Sequence, residues 1–387
     1  MTDPSPFRHI LALQDLEAPA RRLLPRSVFG FAAGGSETGA TLEANAAAYA
    51  EWSFRPRILV DVTQRRTETM LFGRRYTAPF GIAPMGGACM FRREGDLLLA
   101  LAAEKAGIGF MLSGASSVPL ERIRAEAPGS WFQAYFPTGR ESVAALVDRV
   151  AQAGYTVLTV TVDVAVPANR ENNLRNGWSM PLRLTPRLIA DTMAHPRWLL
   201  GTALPGYFGT VPHFENFEAE RGAPMFGRSS AGTARSTTLD WKDLEFIRAR
   251  WPGKLVIKGV LSPEDARLAR SEGADGIVVS NHGGRQLDHA AATLRALPDV
   301  VAASGDMVVM LDGGIRRGTD VLKALALGAR FVFVGRPFLY AAAIGGEAAI
   351  THAIGLLKDE IARDLGLLGC PDPALLHPGF LVPSRVR

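Results

Sequence analysis

The sequence predicts an α/β protein: a closed (β/α)8, or TIM, barrel with a helical N-terminal extension and a long insertion after the fourth strand. Three observations predict it. From about residue 75, short β-rich apolar runs alternate with amphipathic helical stretches, the pattern of a parallel sheet. Eight such runs can be counted, which favours a closed barrel over an open doubly wound sheet. Polar residues gather at the ends of the runs, where a barrel places its active site.

The runs are Phe80-Pro84, Gly109-Ser113, Trp131-Phe136, Thr156-Asp163, Lys254-Val260, Gly276-Asn281, Met307-Gly314 and Phe331-Arg336. Between them, Gly95-Gly107 carries apolar residues at helical spacing and stops at a glycine, while Ser262-Pro263-Glu264 opens a helix with a cap and a proline at its first position. Gly318-Gly328 forms the helix before the last strand. Residues 1-75 read as the helical extension packed on the barrel, 76-370 as the barrel itself, and 371-387 as a C-terminal tail. The insertion, about 164-238, is rich in Pro, Gly, Arg and aromatics, and a connection of that length is expected to be functional or mobile.

A chain of 387 residues, 47% hydrophobic and 21% charged, suits one large barrel with insertions. Its net charge of +5 is spread without a basic run or interleaved aromatics, which argues against nucleic acid and for an anionic small substrate or an anionic membrane surface. Cys89 and Cys370 stand far apart, so neither a disulfide framework nor a metal site is expected, and a reducing cytoplasm is the default location. The N-terminus lacks the pattern of a secretory signal, and the uncharged stretch Trp198 to Phe214 is interrupted by Pro205 and Pro212, so no segment is expected to span a bilayer.

The strand ends form a coherent set: Pro84-Met85-Gly86, Ser113, Gln133 with Tyr135, Thr161 with Asp163, Lys258, then Ser280-Asn281-His282-Gly283-Gly284-Arg285. Asp312-Gly313-Gly314-Ile315-Arg316 and Gly335-Arg336 close the last two strands and read as a phosphate site, because glycines let backbone N–H groups approach an anion and the arginines add charge. Ordinary tight turns would explain either segment alone. Lys258 lies inside Leu255-Val256-Ile257, where a lysine is costly without a negative partner. That partner could be a reduced flavin, charged around N1 and the C2 carbonyl, or a carboxylate such as Asp312. His282 can serve as a general base near neutral pH, Arg285 can hold a carboxylate by paired hydrogen bonds, and Asp163 could stabilise the imidazolium.

Ser280-Asn281-His282-Gly283-Gly284-Arg285-Gln286-Leu287-Asp288 resembles the signature of the FMN-dependent α-hydroxy acid oxidase and dehydrogenase family, which includes glycolate oxidase and flavin lactate dehydrogenases. The likeness runs from Leu24-Pro25 and Phe54-Arg55-Pro56-Arg57 through Val256-Ile257-Lys258-Gly259 to Gly335-Arg336. It implies an FMN whose ring rests on Pro84, Met85 and Gly86, with Ser113, Gln133, Thr161, Lys258 and Ser280 around it. The phosphate would meet the segment from Asp312 to Arg316, together with Gly335 and Arg336. His282 would be the base, Arg285 and Arg170 would hold the substrate carboxylate, and Tyr135 would hydrogen-bond the reacting hydroxyl. Hydride transfer to flavin N5 while His282 takes the hydroxyl proton, or a carbanion route in which His282 first takes the α-proton, would leave a 2-oxo acid, with oxygen, a quinone or another carrier as the final acceptor, and the resemblance implies a homotetramer.

Within the family, Thr161-Val162-Asp163-Val164-Ala165-Val166, Ala194-His195-Pro196-Arg197-Trp198 and Gly86 are most similar to the mandelate dehydrogenase branch, which favours a bulky or aromatic S hydroxy acid. By the same likeness, residues 181-237 could tether the protein to the inner face of a membrane, or else cover the barrel mouth as a lid. Phe31 departs from the pattern, standing where the family normally has a tyrosine that hydrogen-bonds the substrate carboxylate. Other readings are an oxygen-using oxidase of small aliphatic acids, a barrel isomerase or phosphate-sugar enzyme, and a non-catalytic flavin-binding barrel.

Overall fold

The computed structural model describes residues 6–178, 185–208, 212–220, 222, 224 and 239–384. Eight parallel strands close into a barrel: Phe80–Ile82 (β1), Gly109–Ser113 (β2), Trp131–Ala134 (β3), Val157–Thr161 (β4), Lys254–Val260 (β5), Gly276–Val279 (β6), Val308–Asp312 (β7) and Phe331–Val334 (β8). Each strand pairs with its chain neighbours, and β8 pairs with β1 to complete the ring. Strands β2 and β5 match their expected runs, while the other six end earlier because their last residues leave the ladder to face the barrel mouth.

Side chains alternate along a strand, so one set of alternate residues fills the barrel. Met111, Trp131, Val256, Val278, Met310, Phe331 and Phe333 form that inner apolar cluster. Two residues further along the same face stand Ser113, Gln133, Lys258, Ser280, Asp312 and Gly335. The interior therefore changes from apolar to polar toward the C-terminal ends of the strands, as a consequence of the strands' two-residue period.

The segment before the barrel is not wholly helical. After helices α1 (Arg26–Ala33) and α2 (Ala40–Ala47), Trp52–Phe54 pairs antiparallel with Leu381–Pro383 of the C-terminal tail. A hairpin of Thr69–Leu71 and Arg74–Tyr76 then places Leu71, Phe72 and Tyr76 against the inner cluster. Strands of three residues are too short to show a period, so sequence reading passes over them.

In the insertion, α3 (Glu171–Arg175) is followed by helices at Pro186–Met193 and Leu204–Phe208. Much of the expected tether, including residues 181–184 and 225–237, lies outside the described residues. Past the barrel's seventh strand comes α4 (Gly318–Ala326), and after the eighth comes α5 (Arg336–Leu368), which is broken by non-helical backbone at Gly346. Helix α5 is apolar enough and long enough to cross a membrane, but it packs on the barrel and buries Phe338, Ile350, Leu357 and Ile361.

Candidate active site

A cavity of about 930 Å3 opens at the C-terminal ends of the strands. Its floor holds Pro84, Met85 and Gly86 after β1, and its far side holds the segment from Asp312 to Arg316 with Gly335 and Arg336. Tyr135, Thr161, Arg170, Lys258, His282, Arg285 and Phe31 complete the lining among the residues predicted from sequence. Ser113, Gln133, Asp163 and Ser280 sit directly behind.

His282 occupies a left-handed backbone conformation (φ +58°), and Gly283 and Gly284 continue it at +66° and +73°. A non-glycine residue in that region is uncommon and is held only where its surroundings over-determine it. Here the Ser280 hydroxyl accepts from the His282 N–H at 3.1 Å, and the Asn281 side chain accepts from the Gly284 N–H at 3.1 Å. The imidazole Nδ1 lies 3.0 Å from Oδ1 of Asp163, and Nε2 lies 3.5 Å from the Tyr135 hydroxyl. Gly259 permits this arrangement, since a Cβ there would stand 2.7 Å from Cβ of Asp163.

Burial is the largest influence on His282 and pushes its pKa below the usual value, with Lys258 and Arg170 acting in the same sense and Asp163 opposing them. Burial alone would raise the Asp163 carboxyl, but His282 and Lys258 hold it below its ordinary range. The pair is therefore a neutral imidazole backed by a carboxylate, the arrangement a general base needs.

Lys258 has the carboxylate partner that the sequence left as one alternative. Its Nζ lies 3.0 Å from Oδ2 of Asp312 and donates to the Ser280 hydroxyl at 2.8 Å. Burial works against the charged lysine, yet Asp312 and Asp163 outweigh it and raise its pKa. In this structure the side chains of Ser280 and Asp312 both turn to Lys258. The backbone of Asp312 still borders the cavity.

Four arginines converge on the cavity, and each is anchored by backbone. Arg285 donates to the carbonyls of Phe31 (2.5 Å) and Gly34 (3.1 Å), and Arg170 donates to the Arg285 carbonyl (3.0 Å) and the Gln286 side chain (2.8 Å). Arg336 donates to Ala32 and Gly283, and Arg316 to the Ile315 carbonyl. Burial first, then Arg170 and Arg336, presses the Arg285 pKa well below its usual value, and burial with Arg316 brings Arg336 to about 10. Such clustered buried cations suit anionic ligands.

The glycine turn after β7 has the conformation of an anion cradle, with Gly313 and Gly314 at φ +103° and +80°. The Tyr49 hydroxyl donates to the Gly313 carbonyl at 2.9 Å and holds the turn from outside. At the N-terminus of α4, Asp320 already accepts from the N–H groups of Arg316 and Arg317, and Glu360 accepts from that of Gly318. The helix end available to a phosphate is therefore that of α5, beginning at Arg336.

The cavity fits FMN on its own chemistry. The Gln133 amide nitrogen and the Thr161 hydroxyl are buried with no hydrogen-bond partner among the described residues, as groups awaiting the polar edge of a flavin ring would be. The cationic glycine cradle would hold the phosphate, and Lys258 would supply positive charge to the bound ring.

Sequence reading missed two residues. Trp178, 7% exposed, packs on Phe31 with ring centroids 5.0 Å apart, and the Arg285 guanidinium lies 4.9 Å from the Phe31 ring centroid. Asn172 on α3 donates to the Gly30 carbonyl at 2.7 Å and so docks the insertion onto α1. Only the run of asparagines at 172, 173 and 176 signalled such docking.

A barrel with a cationic glycine cradle, a buried lysine on the cavity wall and a histidine–aspartate pair suits a flavin-dependent oxidoreductase. The chain belongs to the FMN-dependent dehydrogenase family, whose model matches residues 20–383. Its cofactor is FMN. It is 37% identical to (S)-mandelate dehydrogenase of Pseudomonas putida over 376 residues, covering 97% of this chain and 94% of that one. It is 39% identical to an L-lactate dehydrogenase of Yersinia pestis over 382 residues, covering 97% and 99%. Among solved structures it resembles the monotopic membrane protein (S)-mandelate dehydrogenase, with a TM-score of 0.88 and 35% identity over 97% of this chain and 99% of that one. A mandelate oxidase solved with 3,3-difluoro-2-hydroxy-3-phenylpropionic acid matches with a TM-score of 0.80 and 36% identity, again over 97% and 99%.

Proposed function

We infer that the protein oxidises an S-configured 2-hydroxy acid with a bulky or aromatic side chain to the 2-oxo acid, with His282 as general base. The observation that carries this reading is the placement of His282 Nε2 and the Tyr135 hydroxyl, 3.5 Å apart, on a cavity that Arg170 and Arg285 also line. The arginines hold the substrate carboxylate, which brings the neighbouring hydroxyl to His282 and Tyr135. His282 takes the hydroxyl proton at Nε2, and Asp163 stabilises the resulting charge through Nδ1. FMN supplies the hydride acceptor when bound, and Lys258 provides positive charge where the flavin gains negative charge. Phe31, Trp178, Leu174, Val164 and Phe217 give the cavity an apolar wall suited to a large side chain, and relatives named for (S)-mandelate support the same choice.

Anaerobic mixing of the yellow holoprotein with glycolate, (S)-lactate and (S)-mandelate tests this reading. Bleaching of the flavin, fastest with mandelate, is expected. A flavin left oxidised by every 2-hydroxy acid would overturn it.

Peripheral contact with the inner face of a membrane, and a membrane quinone as acceptor, belong to the same reading. Ile189 and Met193 on the Pro186–Met193 helix and Leu200 in the turn Leu199–Ala203, 51%, 64% and 65% exposed, support it, as does the membrane-bound relative. Ile58 and Leu59, 82% and 100% exposed, support self-association, in keeping with a tetramer.

A further inference from the structure

The loop that carries His282 is held by a side chain from outside the barrel. Asn45 of α2 and Asn281 form a reciprocal amide pair: each Nδ2 donates to the other's Oδ1 at 2.8 Å. Both residues are buried, at 1% and 4% exposure. Neither amide can turn over without loss. Asn281 must present its oxygen to the Gly284 N–H (3.1 Å) and its nitrogen to the Ala291 carbonyl (3.0 Å). Asn45 must present its oxygen to the Thr293 N–H at 3.2 Å. The pair therefore has one orientation, fixed at both ends by backbone.

The loop it grips is the unusual one. His282, Gly283 and Gly284 are all left-handed, and Asn281 bridges the stretch by accepting from the Gly284 N–H. The same helix touches the phosphate cradle, since a Cβ on Gly314 would stand 2.2 Å from the Asn45 carbonyl oxygen. One turn of α2 thus meets both the base loop and the cofactor turn.

We propose that Asn45 is a positioning residue for the reaction, holding the His282 loop in register with Asp163 and Tyr135 through its amide pair with Asn281. This rests on His282 being the base. The side chain touches neither substrate nor cofactor, so its effect passes through the loop. A displacement of about 1 Å at a reacting group costs on the order of 10²-fold in rate, which makes the contact consequential.

Asn45→Asp is the informative change, because it keeps the shape and the acceptor for Thr293 but opposes the Asn281 oxygen with a second acceptor. The expected result in the holoprotein, with the fastest of glycolate, (S)-lactate and (S)-mandelate as probe, is retained FMN and KM with flavin reduction slowed about 10- to 100-fold. The pH profile should move too. The groups facing His282 are Asp163, Lys258, Arg170 and Tyr135, of which Asp163 raises its pKa. In Asn45→Ala, which adds no charge, an imidazole drawn away from Asp163 shifts the acid limb of flavin reduction to lower pH, a change that mere loss of stability would not produce. Wild-type rate and an unmoved limb would overturn the proposal.

Should Asn45→Asp lose FMN, Asn45→Ala repeats the test without the added charge. Loss of FMN in both, while His282→Ala retains it, would also overturn the proposal, since Asn45 would then serve the cofactor. His282→Ala separates the two levels of the argument. If it reduces flavin at the wild-type rate, the functional reading falls and this proposal with it. If it is inactive while Asn45→Asp is fully active, only the positioning role falls.

Discussion

Nδ1 of His282 lies 3.0 Å from Oδ1 of Asp163, although 119 residues separate them in the chain. The contact joins the loop after β6 to the end of β4 and spans β5, where Gly259 leaves the space. It fixes the tautomer: with Nδ1–H donated to the carboxylate, Nε2 is left to accept a proton on the cavity side. The first predictions follow from that polarity.

Replacing His282 with Gln should leave FMN bound, because the imidazole is not among the groups around the phosphate cradle. Flavin reduction should fall at least ~10²-fold, the usual loss when a positioned base is removed. Stopped-flow absorbance under anaerobic conditions measures it, and near-normal reduction by a good substrate would refute the role.

Asp163→Asn should slow reduction and move its acid limb to lower pH. Burial already depresses the His282 pKa and Asp163 opposes that effect. Removing the carboxylate lowers the pKa further, so the base stays deprotonated into more acidic solution while becoming weaker. A limb that moves to higher pH would contradict the assigned electrostatics.

Lys258→Met should cost both cofactor and stability. It leaves the Asp312 carboxylate buried without its 3.0 Å partner, and breaking a buried pair from one side typically costs about 3–5 kcal/mol. Thermal melting and the ratio of flavin to protein after purification report the two effects. The native protein, by contrast, should hold one FMN and form a sulfite adduct readily, since Lys258 favours negative charge on the ring.

Phe31→Tyr tests the departure from the family pattern. The ring lines the cavity beneath the Arg285 guanidinium, so a hydroxyl there could donate to the substrate carboxylate. A hydrogen bond to a charged group is worth about 1.5–3 kcal/mol, or roughly tenfold to a hundredfold in affinity. Glycolate and lactate should gain more than mandelate in kcat/KM. A variant that gains on none of them would show that this position does not govern carboxylate recognition.

Membrane contact predicts co-sedimentation with anionic liposomes. Deleting residues 181–237 should abolish it, and binding that survives the deletion would exclude the tether.

The barrel and most of its site residues were legible in the chain because they depend on local rules. A two-residue period sets which strand residues face inward, so the polar residues just beyond Val256, Val278 and Met310 had to converge at one end. Glycines marked the anion turn, since left-handed backbone is nearly theirs alone. Partnerships across the closed barrel were not legible. That Lys258 meets both Asp312 and Ser280 depended on which strands became neighbours and in what register. The same holds for Asn45 and Phe31, which lie in the segment before the barrel. They lie on two different helices, and only the docking of α1 brings the Phe31 ring beneath Arg285 and that of α2 brings Asn45 to Asn281. Secondary structure follows from interactions a few residues apart. A buried pair's geometry follows from packing among residues hundreds apart, which spacing along the chain does not encode.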